Sequence, residues 1–205
     1  MPDAPLQTSV PEVSSPASSR ERILAAAVQV AIRDGVSAMT LDAVAREAGV
    51  SKGGLLYHFS SKDQLIAAML EHQATRLQSA IETRMTADEN PRGRWIRALM
   101  QSIHGCTDGG AGLPEMARFL IAMLAASASN PSLLDPIRHR AKFMRERLLE
   151  EGPNGVRQVA LWPAIFGLML WRHLGVLEDD DPVRQTIIDE LLSLAEGPDS
   201  SVSKE

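Results

Sequence analysis

The chain has 205 residues, 44% hydrophobic and 23% charged, a balance that suits one large soluble domain or a small head on a larger body. Its single cysteine, Cys106, excludes an internal disulfide and fits a reducing compartment. The longest apolar run, Val159 to Trp171, is short of the roughly 20 residues a membrane-spanning helix needs. The N-terminus also lacks the basic-then-apolar pattern of a secretory signal, so a cytoplasmic protein without membrane contact is expected. The net charge of −5 is unevenly spread: residues 18–76 carry seven Lys/Arg against six Asp/Glu, and the acidic excess lies outside them.

Residues 1–17 hold four prolines (Pro2, Pro5, Pro11, Pro16) and few large apolar side chains, the composition of a disordered tail. Ser18 and Glu21 stand at capping-box spacing and predict a first helix. Its apolar face is Ile23, Leu24, Ala27, Val28 and Ala31, and Gly35 ends it. Arg20 and Arg22 fall in the first turn, where the helix dipole disfavours cations; contact with phosphates would offset that cost. Thr40 then caps a short helix with Leu41, Val44, Ala45 and Ala48 on one face, and Gly49 takes the place of a left-handed cap. Ser51 caps another helix, Lys52 to Phe59, with Leu55 and Phe59 directed to the core. Helix, glycine turn, helix is an arrangement that offers its second helix to a DNA groove.

Ser61 caps a long helix from Lys62 to about Met85, with Leu65, Ile66, Met69, Leu70, Leu77 and Ile81 on its apolar side. Beyond it the pattern is helical throughout, with no alternating strand and no repeat. Pro91 is expected to open a helix carrying Trp95, Ile96, Leu99, Met100 and Ile103. Gly105 to Gly112 reads as a mobile break, and Pro114 opens a helix with Met116, Phe119, Leu120, Met123 and Leu124. The next helix runs from Ser132 to Glu151, or from Asp135 if Pro136 must lie in its first turn. Gly152, Pro153 and Gly155 read as a second break. Val156 to Val176 is apolar nearly all round, with Pro163 expected to kink it or mark a local break. The last helix starts near Pro182, carries Val183, Ile187, Ile188, Leu191, Leu192 and Leu194, and stops at Gly197. These two helices either form the centre of the bundle or pair with a second copy.

The expected fold is therefore all-α: a three-helix head with a helix-turn-helix, joined by a long helix to a helical bundle. The boundaries read 1–17 tail, 18–64 head, 65–197 body and 198–205 tail.

The stretch Thr40 to Leu70, above all GVSKGGLLYHFSSKDQL, closely resembles the DNA-binding domain of the TetR family of bacterial transcriptional regulators. The likeness covers Arg20 to about Leu70 and includes the order of elements. It implies a homodimer, a two-fold symmetric DNA operator, and release or retention of DNA governed by a small molecule. In that family the positions matching Thr40, Tyr57, His58 and Lys62 contact phosphates. Tyr57, His58 and Lys62 stand at helix ends from which they reach backbone oxygens. Ser51, Lys52, Gly53, Gly54 and Leu56 complete the expected DNA-binding set. Lys52 is suited to guanine O6 or N7 and Leu56 to a thymine methyl. Gly53 and Gly54 carry no side chain to read bases, so much of the specificity is expected from DNA shape and dimer spacing.

By the same resemblance a ligand pocket would lie among the long helix and the next three or four. The expected walls are Met100, Ile103, His104, Met116, Phe119, Met123, Phe143, Met144, Trp162 and Phe166, suited to a largely apolar effector. The basic run Arg138, His139, Arg140, Lys142, Arg145 and Arg147 reads as a solvated helix face. His104, Cys106 and His139 have no metal-ligand spacing, so no metal or cofactor is expected. No nucleophile–base pairing or phosphate loop points to an enzyme. The expected function is a ligand-responsive repressor, dimeric through 156–176 and 182–196 and bound to a palindromic operator. The alternatives are a regulator of this fold controlled by a protein partner or by no ligand, and a helical small-molecule carrier that has lost DNA binding.

Overall fold

The computed structural model describes residues 18–104, 114–178 and 180–197. The expected terminal tails, the Gly105–Gly112 break and Cys106 lie outside the described residues. Nine α-helices are described, with no strand among the described residues. The first is α1 (Ser19–Asp34), started by Ser18, whose hydroxyl accepts from the Glu21 N–H while the Glu21 carboxylate accepts from the Ser18 N–H. Both orphan donors of the capping box are thus met.

α2 (Leu41–Glu47) and α3 (Lys52–His58) form the hairpin. Thr40 caps α2 and Ser51 caps α3, each hydroxyl accepting from a main-chain N–H three residues on. Between them Gly49 has φ +65°, and the Val50 N–H donates to the Ala45 carbonyl at 3.0 Å. That bond and the left-handed glycine form a Schellman turn, so the chain reverses direction without leaving a carbonyl unmet.

α4 (Lys62–Ala87) begins at the Ser61 cap and spans 26 residues, about 39 Å at 1.5 Å per residue. Its N-terminal half packs Leu65, Ile66, Met69 and Leu70 with α1 and α3 around Leu55 and Phe59. Its C-terminal half gives Ile81 to a second core built from α5 (Arg94–His104), α8 (Pro153–His173) and α9 (Pro182–Glu196). α6 (Pro114–Ser127) also joins the two: Met116, Phe119, Met123 and Ala126 lie in the first core, while Ala117, Leu120 and Ile121 border the second. A 3-10 turn, Pro131–Leu134, leads into α7 (Asp135–Leu149).

Two expectations change. α5 starts at Arg94 rather than at Pro91, because Gln158 of α8, 1% exposed, accepts from the Trp95 and Ile96 N–H groups at 3.1 and 3.3 Å. A cap supplied from a distant helix leaves no local sequence signal. Pro153 and Gly155 do not break the chain but belong to the first turn of α8, where proline is tolerated. Gly155 is buried against the Leu148 carbonyl so closely that no Cβ would fit. Pro163 lies inside α8, which continues past it as one element.

The base of the body is tied by Arg97, whose side chain is 13% exposed. It donates to Asp88 at 2.8 Å, to Glu196 at 2.9 Å, and to the Asn90 and Arg92 carbonyls at 2.6 Å. This joins the end of α4 to α5 and α9. Burial pushes the Asp88 carboxyl up, but Arg97, the Asn90 N–H and Arg94 together hold it below its ordinary value. A carboxylate with a depressed folded pKa contributes stability above its unfolded pKa and loses it as pH falls through the folded one. Unfolding free energy, measured in urea, should therefore decline below about pH 4 in the native protein, and Asp88→Asn should be less stable at neutral pH and flatter on that acid limb. An unchanged slope would show that Asp88 contributes nothing to it.

Candidate nucleic-acid interface and internal cavity

The hairpin presents one side to solvent. Leu55 and Phe59, four apart, are buried, which turns Lys52, Gly53, Leu56 and Tyr57 outward. Tyr57 is 86% exposed, so its ring is not part of the head core, and it stands edge-to-face with His58 at 5.2 Å. An aromatic this exposed has no packing role in the isolated chain and leaves its hydroxyl open to an acceptor.

The two lysines are held differently. Lys62 donates from Nζ to the Ser37 carbonyl at 2.8 Å, tethering the start of α4 to the segment before α2. Lys52 pairs with Asp42 of α2 at 2.9 Å, both side chains 58% exposed. The sequence reading had assigned Lys52 to bases without this partner, although Asp42 was visible in the first turn of α2. An exposed pair of this kind contributes little stability and exchanges readily for another anion. Arg20, one of the two cations in the first turn of α1, sits over the Phe59 ring at 5.4 Å. Arg22 reaches the Ser19 hydroxyl at 3.3 Å.

The glycines of α3 differ in their surroundings. A Cβ on Gly53 would meet only the Ser51 hydroxyl, at 4.0 Å, whereas one on Gly54 would approach it to 3.3 Å. Neither is needed for a positive φ.

Inside the body, α4, α5, α6, α7 and α8 line a partly open cavity of about 140 Å³. Of the expected walls, Met116, Phe119, Met144, Trp162 and Phe166 line it. Met100, Ile103 and Met123 are buried in the helix packing away from it, and Phe143 is 63% exposed on the outer side of α7. The His104 side chain lies outside the described structure. The sequence reading missed the contribution of α4, namely Leu70, Gln73, Ala74, Leu77, Gln78 and Ile81. Its signal was Gln73, a polar residue among Ile66, Met69, Leu70 and Leu77 on the apolar stripe. The reading also missed Trp95, which stacks edge-to-face on Trp162 at 4.8 Å, and Arg140. Arg140 departs from the solvated face expected of α7: it turns inward, bonds Gln78 and lies 3.4 Å from Glu71.

Among the described residues no group of His, Cys, Asp or Glu is arranged to hold a metal ion, and no helix is long and apolar enough to cross a membrane.

A small helix-turn-helix head with an open aromatic and lysines on one face, carried on a hollow helical body, defines a DNA-binding regulator of transcription. Comparison with known proteins agrees. The family model described as "Bacterial regulatory proteins, tetR family" matches residues 23–69, and that described as "Tetracyclin repressor-like, C-terminal domain" matches residues 93–196. The second match covers the body independently of the head. The chain belongs to the TetR family of helix-turn-helix transcriptional regulators.

Among its relatives, the HTH-type transcriptional regulator SrpR of Pseudomonas putida is 36% identical over 89 residues, covering 42% of this chain and 40% of that protein. The HTH-type transcriptional regulator BetI of Pseudomonas paraeruginosa (strain DSM 24068 / PA7) is 28% identical over 126 residues, 60% of this chain and 62% of that one. The matches thus span less than two thirds of these relatives' lengths. In fold, the chain is similar to a transcriptional regulator from Rhodococcus sp. Rha1, with TM-score 0.69 and 24% identity over 87% of this chain and 96% of that one. It is also similar to the multidrug binding protein EbrR complexed with imidazole, with TM-score 0.62 and 21% identity over 90% and 99%.

Because Gly53 has open space and an ordinary helical φ, Gly53→Ala should raise the unfolding free energy of the DNA-free protein by about 1 kcal/mol, read from urea denaturation. A loss of stability would show a contact on that face that the free structure lacks.

Proposed function

We propose that the protein is a ligand-responsive repressor that binds a palindromic operator as a homodimer and releases it when a small, largely apolar molecule enters the body. The observation that carries this reading is the position of α6. Met116 and Phe119 line the cavity and at the same time sit in the core of the DNA-binding head. A molecule larger than the cavity displaces them, and the head on which they pack moves with them. α4 offers a parallel route, since Leu70 belongs to both the head core and the cavity wall.

The dimer reading is supported by the outer faces of α8 and α9. Leu170, Trp171, Leu174, Val176, Val183 and Leu194 are all exposed in the single chain, a concentration of large apolar side chains uncommon on a monomer surface. Two copies joined there carry two heads related by a two-fold axis, which matches a palindrome. A cytoplasmic location follows from such a role.

On DNA, Thr40, Ser51, Tyr57, His58 and Lys62 grip the backbone, while Lys52 and Leu56 meet base edges beside the open backbone of Gly53 and Gly54. Lys52 leaves Asp42 to do so. Enrichment of bound sites from random duplex DNA tests the whole reading: a palindrome is expected, and no enriched site would overturn it. With that site in hand, Lys62→Ala should weaken all sequences alike and lower the salt slope by about 1, whereas Lys52→Ala should relax preference at one position per half-site. Identical behaviour of the two would remove the division between gripping and reading. Trp171→Arg should convert the dimer to monomer in sedimentation and abolish tight operator binding; a dimer that survives it would place the interface elsewhere.

A further inference from the structure

The cavity walls show what kind of molecule they are built to hold. None of the lining residues is Asp or Glu. The polar groups present are the Trp95 and Trp162 indoles, Gln73, Gln78 and Arg140. Trp95 is 4% exposed, and its indole N–H is buried without an acceptor among the described residues. Gln73 is 3% exposed, and its carboxamide forms no hydrogen bond among the described residues. Arg140, at the rim, has only donors to offer. Its carboxylate neighbour Glu71 is 3.4 Å away on the solvent side, a long and screened contact, and its other partner, Gln78, is neutral.

We propose that the effector is an apolar carboxylate whose ring or chain fills the cavity, with carboxylate oxygens accepting from the Trp95 indole and the Arg140 guanidinium. This rests on the ligand-responsive reading above and narrows it to a chemical class. A buried donor with no partner is costly, and Trp95 can donate but not accept, so the molecule that satisfies it brings an oxygen. Arg140 matches a carboxylate by its fork geometry. A cationic ligand meets neither need. No carboxylate lines the cavity itself, and the one at its rim, Glu71, is paired with Arg140, so a cation would be buried beside a guanidinium without a free partner. Cation–π attraction to an indole face would offset only part of that cost. In size, 140 Å³ matches a site for a single six-membered ring, so a ring or chain of that bulk fits without change.

Three probes of one shape and different charge test the class: 3-phenylpropanoate, 3-phenylpropanamide and 3-phenylpropylammonium, titrated into the full-length protein by calorimetry. The carboxylate should bind most tightly and the ammonium at least tenfold more weakly. Trp95→Phe, which keeps a ring and removes the N–H, should weaken the carboxylate about tenfold. Arg140→Gln should weaken the carboxylate but leave the amide unchanged; this second variant carries the test if Trp95→Phe fails to fold, as judged by circular dichroism. An ammonium that binds as tightly as the carboxylate overturns the class while leaving a ligand-binding regulator. A carboxylate no tighter than the amide, or indifferent to both substitutions, also overturns it. Binding by none of the three overturns the cavity as a small-molecule site, and with it the reading on which the class rests.

Discussion

The structure depends on two side chains, Met116 and Phe119, that serve two places at once. On one side they complete the core of the DNA-binding head; on the other they form a wall of the cavity. Protein interiors are close-packed and respond to added volume by moving whole elements rather than by yielding locally. A head that takes part of its core from α6 cannot be indifferent to what presses on α6. The coupling proposed between ligand and head needs no chain of intermediates, because the cavity wall and the head core share residues.

The same economy governs the head. Its three helices are too small to hold a core alone, and α4 supplies Leu65, Ile66, Met69 and Leu70 to finish it. With Leu55 and Phe59 committed inward, the hairpin has few side chains left for its outer face. The Lys52–Asp42 pair then holds one of the two lysines against α2 in the free protein, and in the proposed complex DNA takes the place of Asp42. Affinity from backbone contacts and modest base reading are the consequences of that arrangement. The −5 net charge fits a protein that relies on placed groups instead of a strong field.

Much of this was legible in the residues. The capping box at Ser18, the caps at Thr40, Ser51 and Ser61, and the glycine turn at Gly49 are local chemistry and appear where the sequence put them. The Thr40–Leu70 signature carried the family. What escaped was set by tertiary contact. The start of α5 depends on Gln158, sixty residues away, and Pro153 and Gly155 join α8 because α7 packs so closely against that turn. The cavity wall was read from Met and Phe content, which marks apolar interiors in general; Met100, Ile103 and Met123 are such interior residues. The residues that distinguish a cavity from a core were polar ones on apolar faces, Gln73 on α4 and Arg140 on α7, and periodicity alone ranks these as defects.

The central claim, that filling the cavity moves the head through α6, can be measured without knowing the natural effector. Ala141 of α7 lines the cavity and belongs to neither core, and Ala141→Trp would place there a ring system larger than the single ring the space holds. The measurement is operator affinity of this variant beside the native protein at one salt concentration, using the site selected from random duplex DNA. The account predicts at least tenfold weaker binding from a dimer whose head remains folded. Native operator affinity with the cavity filled would contradict it.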